Sequence, residues 1–205
     1  METEQLKIFD ENRNPIGIAS REEVHRLGYW HETFHCWFIS KDQEKDYLYL
    51  QLRSKIKKDY PNLLDITAAG HLLASESVED GVREIKEEVG IDITPQELIP
   101  LGIIDYSVLD GDFIDKEFAH TFLYKSEKNF EDFILQDEVA GIVKVEFNEF
   151  VELWLDERPF ITITGFEVTE NGNKIYFEEQ VGKEKFVPHQ NKFYRTVLEK
   201  MRAHI

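Results

Sequence analysis

The segment from residue 64 to residue 91 reads LDITAAGHLLASESVEDGVREIKEEVGI. It begins with a strand-like run over residues 64–69, passes through a loop that contains a glycine, and ends in a stretch with helical periodicity. Ser77 starts an S-x-x-D capping box, and Gly90 is a typical residue at the end of a helix. These signals predict a strand, a loop and then a helix over residues 77–89.

The predicted helix has one apolar face and one acidic face. At about 100° per residue its aliphatic side chains form one stripe, whereas Glu84, Glu87 and Glu88 fall on the opposite side. These glutamates lie near the negative end of the helix dipole, which destabilises an isolated helix. A solvated acidic face is one explanation in a chain with 41 Asp and Glu residues. The other is a metal site, because Glu76 precedes the helix and clustered carboxylates suit Mg²⁺ or Mn²⁺.

The same stretch resembles the Nudix box, whose pattern is G-x5-E-x7-R-E-U-x-E-E-x-G-U with U aliphatic. Gly70-x5-Glu76 matches its first part, and Arg83-Glu84-Ile85-Lys86-Glu87-Glu88-Val89-Gly90-Ile91 matches its second part at every fixed position. The resemblance implies the α/β/α sandwich of the Nudix family over residues 30–147. It also implies a hydrolase that uses water and Mg²⁺ or Mn²⁺ to cleave a small-molecule diphosphate, typically a nucleoside diphosphate linked to another moiety.

One spacing departs from the Nudix pattern. Six residues separate Glu76 from Arg83, where the pattern has seven. Counting forward from Gly70 keeps Glu76 in its usual place, whereas counting back from Arg83 puts Ser75 there and Ala69 in place of the glycine. We prefer the first alignment, with the residue missing from the junction between loop and helix.

The resemblance implies roles for the residues of the box. Glu84, Glu87 and Glu88 are expected to bind the metal and take part in catalysis, with Glu76 as a weaker candidate for a further ligand. Arg83 is expected to orient a neighbouring glutamate rather than contact the substrate. These expectations rest on the matching positions alone.

The general base is not identified by the sequence. Glu84 and Glu88 are candidates within the box. Glu117, at a strand start, and Glu138, in a loop before a strand, resemble places where family members have a catalytic or metal-binding acid. An ordinary solvent-exposed glutamate is the alternative at each of these last two positions.

Substrate contacts are predicted at two positions. Arg53 follows the strand-like run over residues 47–52 and resembles an arginine of the branch related to isopentenyl-diphosphate isomerase, where it would bind a phosphate bidentately. A cation at the cavity rim is the alternative. Gly70 is expected to let the backbone turn tightly beside the substrate.

Aromatic and histidine residues near these positions are weaker candidates. Three aromatic residues would stack on a base, although aromatic residues at strand edges usually belong to the core: Tyr29, Trp30 and Phe113. Three histidines lie near the predicted site, and we expect most of the histidines not to be ligands: His31, His35 and His71.

The rest of the chain predicts one mixed sheet with helices around it, an α/β (α+β) fold. We expect residues 1–159 to form a Nudix-like catalytic domain with an N-terminal hairpin, and residues 160–205 to be a C-terminal extension packed on it. The predicted strands cover residues 6–9, 16–19, 34–39, 47–53, 98–106, 118–125, 142–147, 166–169 and 174–177, and the further helices cover residues 20–28, 148–155 and the stretch from residue 189 onward.

Composition limits the kind of protein. The chain has 205 residues, 41% of them hydrophobic, and a formal net charge of −17, which argues against broad binding to a nucleic-acid polymer. Its apolar runs are only a few residues long and its N-terminus does not resemble a secretory signal, so we expect no membrane span and a cytoplasmic location. The single cysteine, Cys36, excludes an internal disulfide. A homodimer is compatible with the sequence.

Two alternatives to a hydrolase stay open. The stretches over residues 28–35 and 69–71 also resemble isopentenyl-diphosphate isomerase, but that enzyme has a cysteine immediately before the Gly-His pair, and this chain has Ala69 there. A methyl group does not replace a thiol in proton transfer. The second alternative is a catalytically silent Nudix-like domain that only binds a cation.

Overall fold

The computed structural model describes residues 4–111 and 113–205, in which eleven strands form one mixed sheet. The strands are β1 (Gln5–Phe9), β2 (Pro15–Ser20), β3 (Trp30–Asp42), β4 (Lys45–Arg53), β5 (Leu64–Asp65), β6 (Ala68–His71), β7 (Ile99–Asp110), β8 (Phe113–Lys125), β9 (Val139–Glu146), β10 (Ile161–Val168) and β11 (Lys174–Val181). The helices are α1 (Arg21–Leu27), α2 (Arg83–Val89), α3 (Phe147–Trp154) and α4 (Asn191–Arg202). The predicted α+β fold is confirmed.

The strand order along the main path of the sheet is β11-β10-β9-β4-β3-β1-β2, with β5 beside β4, β6 beside β3, and the β7–β8 hairpin joined through β8. Strand β8 pairs with β3 in parallel, and this register places His31 opposite Glu117. Because paired residues point to the same side of a sheet, the polar residues of these two distant strands share one face.

The predicted strand over residues 64–69 is divided in two. Strand β5 pairs with β4, and β6 pairs with β3, so this segment fills the gap where β3 and β4 diverge. Thr67 lies at the crossing point: its hydroxyl donates to the Tyr49 carbonyl oxygen at 2.5 Å and accepts from the Phe38 N–H at 3.0 Å. The Thr67 hydroxyl thus replaces backbone hydrogen bonds of the sheet at the point where the segment divides into β5 and β6.

The predicted helix over residues 77–89 begins as a 3₁₀ turn, Glu79–Val82, and becomes α-helical only in α2. A 3₁₀ turn rises about 2.0 Å per residue instead of 1.5 Å, so it covers a given length with fewer residues. The shortened segment still brings Glu76 and Arg83 into contact, with Arg83 Nε 2.5 Å from Glu76 Oε1.

The N-terminal hairpin and α1 form as predicted. Strands β1 and β2 are antiparallel, and Ser20 caps α1 by accepting from the Glu23 N–H at 3.3 Å. Helix α1 ends at Gly28, which has a φ of 69°, a conformation that favours glycine.

The C-terminal elements belong to the same folded body. Strands β10 and β11 extend the sheet from β9, and α4 packs against α3, where the rings of Trp154 and Tyr194 stack with centroids 3.7 Å apart. The C-terminal helix, predicted from residue 189 onward, begins at Asn191, and its residues Phe193, Val197 and Met201 are buried.

Two large apolar clusters lie in the molecule. One includes side chains of α3 and α4, and the other includes Ile85 and Val89 of α2. Helix α2 is thereby fixed by its apolar face, which leaves its acidic face for the site described below. Among the described residues, no helix is both long enough and apolar enough to span a membrane.

Candidate active site

The acidic face of α2 lines a cavity of about 650 Å³. Strand β6, the loops after β4 and before β9, and the segment before α4 also contribute to its walls. Acidic side chains are numerous in the lining, but four cations lie among them: Arg21, Arg53, Lys57 and Arg83. The cavity of this strongly acidic chain therefore offers partners for cations and for anions.

Arg83, the first residue of α2, binds three glutamates of the cavity wall. Its Nε and Nη2 donate to the two carboxylate oxygens of Glu76 at 2.5 and 2.9 Å. Its Nη1 donates to Glu84 at 2.6 Å and to Glu87 at 2.8 Å. The hydrogen bonds from Arg83 hold the pKa of Glu76 below its usual value. Arg83 therefore fixes the carboxylates of the loop and of the helix relative to each other.

Glu84 lies against the backbone of Gly70. A Cβ atom at Gly70 would lie 2.2 to 2.5 Å from the carboxylate atoms of Glu84, so a larger residue at this position would displace the Glu84 carboxylate. Gly70 itself is part of β6 and pairs with Phe34. The predicted tight turn at Gly70 is therefore wrong, and close approach is the reason for a glycine here. Burial raises the pKa of Glu84 to about 7.

Glu88 is the most deeply buried glutamate of the helix, with 5% of its surface exposed. Its Oε2 accepts from Gln51 Nε2 at 3.0 Å and from the Ala69 N–H at 2.9 Å. Burial raises the pKa of Glu88 to about 8 despite these contacts. A nearby cation would favour its ionised form.

Two predicted carboxylates are more exposed. The Glu87 side chain is 57% exposed, with Arg83 as its partner. Glu138 lines the cavity and forms an ion pair with Lys57. Burial raises the pKa of Glu138, but the hydrogen bond and the charge of Lys57 outweigh this effect and lower it.

Arg53 lies at the cavity wall, and several of its N–H groups are engaged. Its Nη1 donates to Asp65 Oδ2 at 2.9 Å, and its Nε and Nη2 donate to the Asp59 carbonyl oxygen at 3.1 and 2.8 Å. These bonds use three of the five N–H groups of a guanidinium. Asp65 also lies 3.0 Å from His189 Nε2. The contacts of Asp65 with His189 and Arg53 outweigh its burial and hold its pKa far below the usual value.

Glu117 of β8 is buried beside β3. Its Oε2 accepts from Thr33 Oγ1 at 3.0 Å and lies 3.1 Å from His35 Nε2. Burial opposes ionisation of Glu117, but the contact with His35 outweighs it and lowers the pKa. Glu117 therefore faces the cavity as part of a polar group on β3 and β8.

Three histidines lie together near Glu117, and two of them, His25 and His71, line the cavity. One ring nitrogen from each of His25, His31 and His71 lies within 4.8 Å of the other two. One ligand atom from each of His31, Asp115 and Glu117 meets the same distance criterion. Asp115 Oδ1 lies 3.6 Å from His25 Nε2 and 3.5 Å from His31 Nε2. These five side chains, which we name the histidine cluster, are a candidate metal site.

The histidines of the cluster differ in protonation. Nδ1 of His25 lies 2.8 Å from the Arg21 carbonyl oxygen and Nδ1 of His31 lies 3.2 Å from that of Tyr29, so the neutral ring of His31 has a lone pair on Nε2. Burial opposes ionisation of His25, but its contact with Asp115 outweighs burial and raises its pKa. Burial lowers the pKa of His31 to about 4 and that of His71 well below its usual value, which keeps both rings neutral. His31 Nε2 and Asp115 Oδ1 are buried without a hydrogen-bond partner among the described residues.

The protein can be placed in a family by comparison. Residues 29–162 match the NUDIX domain. The chain belongs to the Nudix family.

The relatives of this Nudix protein agree with the assignment. The chain is 43% identical over 199 residues to an uncharacterised Nudix hydrolase of Clostridium acetobutylicum, and the match covers 97% of each chain. It is 29% identical to isopentenyl-diphosphate Delta-isomerase 2 of Photorhabdus laumondii, over 82% of this chain and 92% of the relative. The MutT protein of Methanosarcina mazei shares the fold, with a TM-score of 0.55 and 15% identity over 85% and 95% of the two chains. The chain is thus an enzyme of the Nudix pyrophosphohydrolase type.

The structure brings most of the predicted Nudix-box residues to one wall. Glu76, which the shortened spacing put in doubt, is held by two hydrogen bonds from Arg83. Among the residues that the structure describes, however, the groups whose ligand atoms converge within 4.8 Å contain none of the box glutamates. The reason is that Arg83 lies between Glu84 and Glu87, whereas Glu88 is turned toward Gln51.

Several residues of the cavity were missed by sequence reasoning. His25, Asp115, Asp65, Lys57 and His189 were not among the candidates. Alternation of polar residues at 31, 33 and 35 and at 115 and 117 is a signal that each strand has one polar face. Their meeting depends on the parallel pairing of β3 with β8, which no local pattern reveals.

Proposed function

We propose that this Nudix enzyme hydrolyses a diphosphate linkage in a nucleoside diphosphate derivative or a similar small molecule, by attack of water at phosphorus with Mg²⁺ or Mn²⁺ as cofactor. The observation that carries the proposal is the pair of carboxylates formed by the buried Glu88 and the half-buried Glu84, in a cavity that also contains Arg53 and Lys57. The carboxylates are suitable ligands for a divalent metal ion, and the positively charged side chains of Arg53 and Lys57 are suitable partners for phosphate oxygens.

The donor set of the Nudix box fits a hard divalent cation. Glu84 and Glu88 have raised pKa values because burial leaves their ionised forms without enough compensation, and a bound cation supplies it. Glu76 and Glu87 add two carboxylates whose positions Arg83 fixes. A bound Mg²⁺ or Mn²⁺ would polarise the diphosphate as a Lewis acid and lower the pKa of a water molecule.

The chain's own residues divide the remaining work. Lys57 and the free N–H groups of Arg53 bind phosphate oxygens and orient the diphosphate. A carboxylate accepts the proton of the attacking water, and Glu84, Glu88, Glu117 and Glu138 are its candidates. Gln variants at these four positions separate them, since loss of the base lowers kcat and removes its limb from the pH profile of kcat.

The histidine cluster supports a second cation site on the same cavity. Three imidazoles with one or two carboxylates suit a transition metal ion such as Zn²⁺ or Mn²⁺. The two buried atoms without a hydrogen-bond partner, on His31 and Asp115, favour an ion there because unpaired buried polar atoms are costly.

Product analysis tests the proposed hydrolysis. Wild type and Glu87→Gln are incubated with Mg²⁺ and a panel of nucleoside diphosphate compounds plus isopentenyl diphosphate, and the products are identified by mass spectrometry. We expect cleavage of at least one diphosphate by wild type and its loss in Glu87→Gln. Glu199→Gln on α4 is the matched control, because it removes an exposed glutamate far from the box in sequence and is expected to leave activity unchanged.

The isomerase and the binding module, the two alternatives to a hydrolase, predict different results in this experiment. Conversion of isopentenyl diphosphate without hydrolysis would replace the proposal by an isomerase, despite Ala69 in place of the cysteine. Cation binding without turnover across the panel would replace it by a binding module. The cytoplasmic location, the homodimer and the boundary between residues 1–159 and 160–205 stay predictions.

A further inference from the structure

The segment between β11 and α4 contributes Val187 and His189 to the wall of the cavity. We propose that His189 is a positioning residue for substrate binding, which holds Arg53 in place through Asp65. This inference rests on the proposed function, since it assigns Arg53 to the phosphate groups of the substrate. It gives the C-terminal extension a part in the site itself.

The main chain of this segment is fixed to the sheet. The Val187 N–H donates to the Leu64 carbonyl oxygen at 2.9 Å, next to a parallel bridge between Leu64 and Phe186. The Tyr194 hydroxyl donates to the Val187 carbonyl oxygen at 2.9 Å. The position of His189 is therefore set by β5 on one side and by α4 on the other.

The ring of His189 is held in one orientation. Its centroid lies 4.9 Å from the rings of both Tyr106 and Phe193, and 5.5 Å from that of Tyr194. Only 8% of the side chain is exposed. Because Asp65 is ionised, Nε2 of His189 carries the proton of the 3.0 Å contact with Asp65 Oδ1. A fixed ring with a fixed donor is what a positioning role requires.

Asp65 joins His189 to Arg53. Its Oδ1 accepts from His189 and from the Ile66 N–H at 2.9 Å, and its Oδ2 accepts from Arg53 Nη1 at 2.9 Å. Each carboxylate oxygen thus has a donor of its own, and the plane of the carboxylate is determined. Without the donor of His189, Oδ1 keeps only the bond to the adjacent Ile66 N–H, and Arg53 is the only other side chain that holds Asp65 in place.

Arg53 transmits this orientation to the cavity. Its Nε and Nη2 hold the Asp59 carbonyl oxygen, which fixes the loop that also carries Lys57. Three of its five N–H groups are used in these contacts and in the bond to Asp65, so two are available for phosphate oxygens only while the guanidinium keeps this orientation. Loss of His189 should therefore weaken substrate binding more than it slows the chemical step.

Kinetics of matched variants test this role. His189→Leu removes the donor, whereas His189→Gln keeps an N–H donor of similar reach. We expect His189→Leu to raise KM about tenfold with kcat changed less than about twofold, and His189→Gln to restore most of the wild-type KM. Gln190→Leu is the control, because Gln190 anchors the same segment through the Ser107 carbonyl oxygen without touching Asp65. It should leave KM and kcat unchanged.

A second measurement does not depend on turnover. Calorimetric titration with inorganic pyrophosphate and Mg²⁺ should show the dissociation constant rising about tenfold in His189→Leu and staying near wild type in His189→Gln. In a double-mutant cycle, His189→Leu should add little to the effect of Arg53→Lys, because both act on one contact. If His189→Leu does not fold, His189→Asn replaces it, since its amide is too short to reach Asp65.

The outcomes separate the two proposals. The positioning role would be overturned if His189→Leu bound pyrophosphate as strongly as wild type does. It would also be overturned if the effects of His189→Leu and Arg53→Lys were additive in the double-mutant cycle. Either result would leave the proposed hydrolysis intact. A lower melting temperature in His189→Leu with unchanged KM and dissociation constant would also overturn it, because the residue would then serve stability alone. Wild type that neither binds pyrophosphate nor cleaves any diphosphate would overturn both proposals.

Discussion

The two sides of the cavity are built in different ways. The wall of the Nudix box comes from one stretch of 21 residues, 70 to 90, so its residues are close because they are close in the chain. The second wall joins residues from α1, β3, β5, β8 and the segment before α4, which meet only through the tertiary structure. Local spacing therefore predicts the first wall, and tertiary structure alone assembles the second.

The difference also concerns charge. In the box wall, three carboxylates share one arginine as partner, and all three keep solvent-accessible surface. In the second wall, Asp65 and Glu117 are buried and Asp115 is half-buried, with histidines or Arg53 as their partners. We therefore expect substitutions in the second wall to affect stability, and substitutions in the box wall to affect activity.

Among the single substitutions, the largest loss of stability is expected for Asp65→Asn, which removes a buried charge from between Arg53 and His189. Breaking one side of a buried ion pair costs about 3–5 kcal/mol, because the other charge stays buried without compensation. Urea denaturation measures the loss. Asp105→Asn is the control, since Asp105 pairs with Arg13 on the surface with exposures of 55% and 43%, and its loss should cost less than about 1 kcal/mol. If Asp65→Asn and Asp105→Asn lost equal amounts of unfolding free energy, the expected contribution of the second wall to stability would be contradicted.

Arg83→Lys should affect activity rather than folding. A lysine keeps the charge but has no planar guanidinium, so it is unable to hold Glu76, Glu84 and Glu87 together. We expect kcat/KM to fall about 10- to 100-fold, the range found when residues that orient metal ligands are changed. The measurement uses the diphosphate identified in the panel, with Arg195→Lys on α4 as control. A melting temperature lowered by many degrees with unchanged kcat/KM would contradict the assignment of Arg83 to the site.

The sequence predicted the fold well where patterns are local. The N-terminal hairpin, the capped helix α1 and the C-terminal hairpin each follow from turn residues between alternating or periodic runs. It did less well at residues 64–71, because the division of this strand depends on Thr67 meeting two other strands. The box glutamates were found by spacing, whereas His25 and His189 have no neighbours in sequence that would mark them.

The pH dependence of stability should distinguish metal-free from metal-bound protein. In the metal-free state burial raises the pKa of Glu84 from 4.5 to about 7 and that of Glu88 from 4.5 to about 8. Such groups stabilise the fold below the unfolded pKa, and this contribution is lost as pH rises through the folded pKa. Between pH 5 and pH 8 the unfolding free energy should therefore fall by about 1.4 kcal/mol per pH unit for each group that is still protonated in the folded state.

Thermal unfolding with and without Mg²⁺ measures this effect. Without metal, the melting temperature should fall from pH 5 to pH 8, by about 2–4 °C for each kcal/mol in a chain of this size. With Mg²⁺ the fall should be smaller, because a cation favours the ionised carboxylates. Glu84→Gln together with Glu88→Gln should abolish most of the pH dependence. A metal-free protein that becomes more stable toward pH 8 would show that these carboxylates are ionised without a cation.

The smallest effect is expected in the histidine cluster. His71→Gln removes one imidazole of the proposed second site while nearly keeping the side-chain volume, and His120→Gln changes a histidine that pairs with Glu32 instead. With Zn²⁺ at about ten times its dissociation constant, binding stabilises wild type by about 1.4 kcal/mol, and this gain should be lost in His71→Gln and kept in His120→Gln. Elemental analysis should show one bound ion fewer in His71→Gln. Equal metal content and equal stabilisation by Zn²⁺ in both variants would mean that the three histidines form a polar core without an ion, and that the box wall alone binds metal.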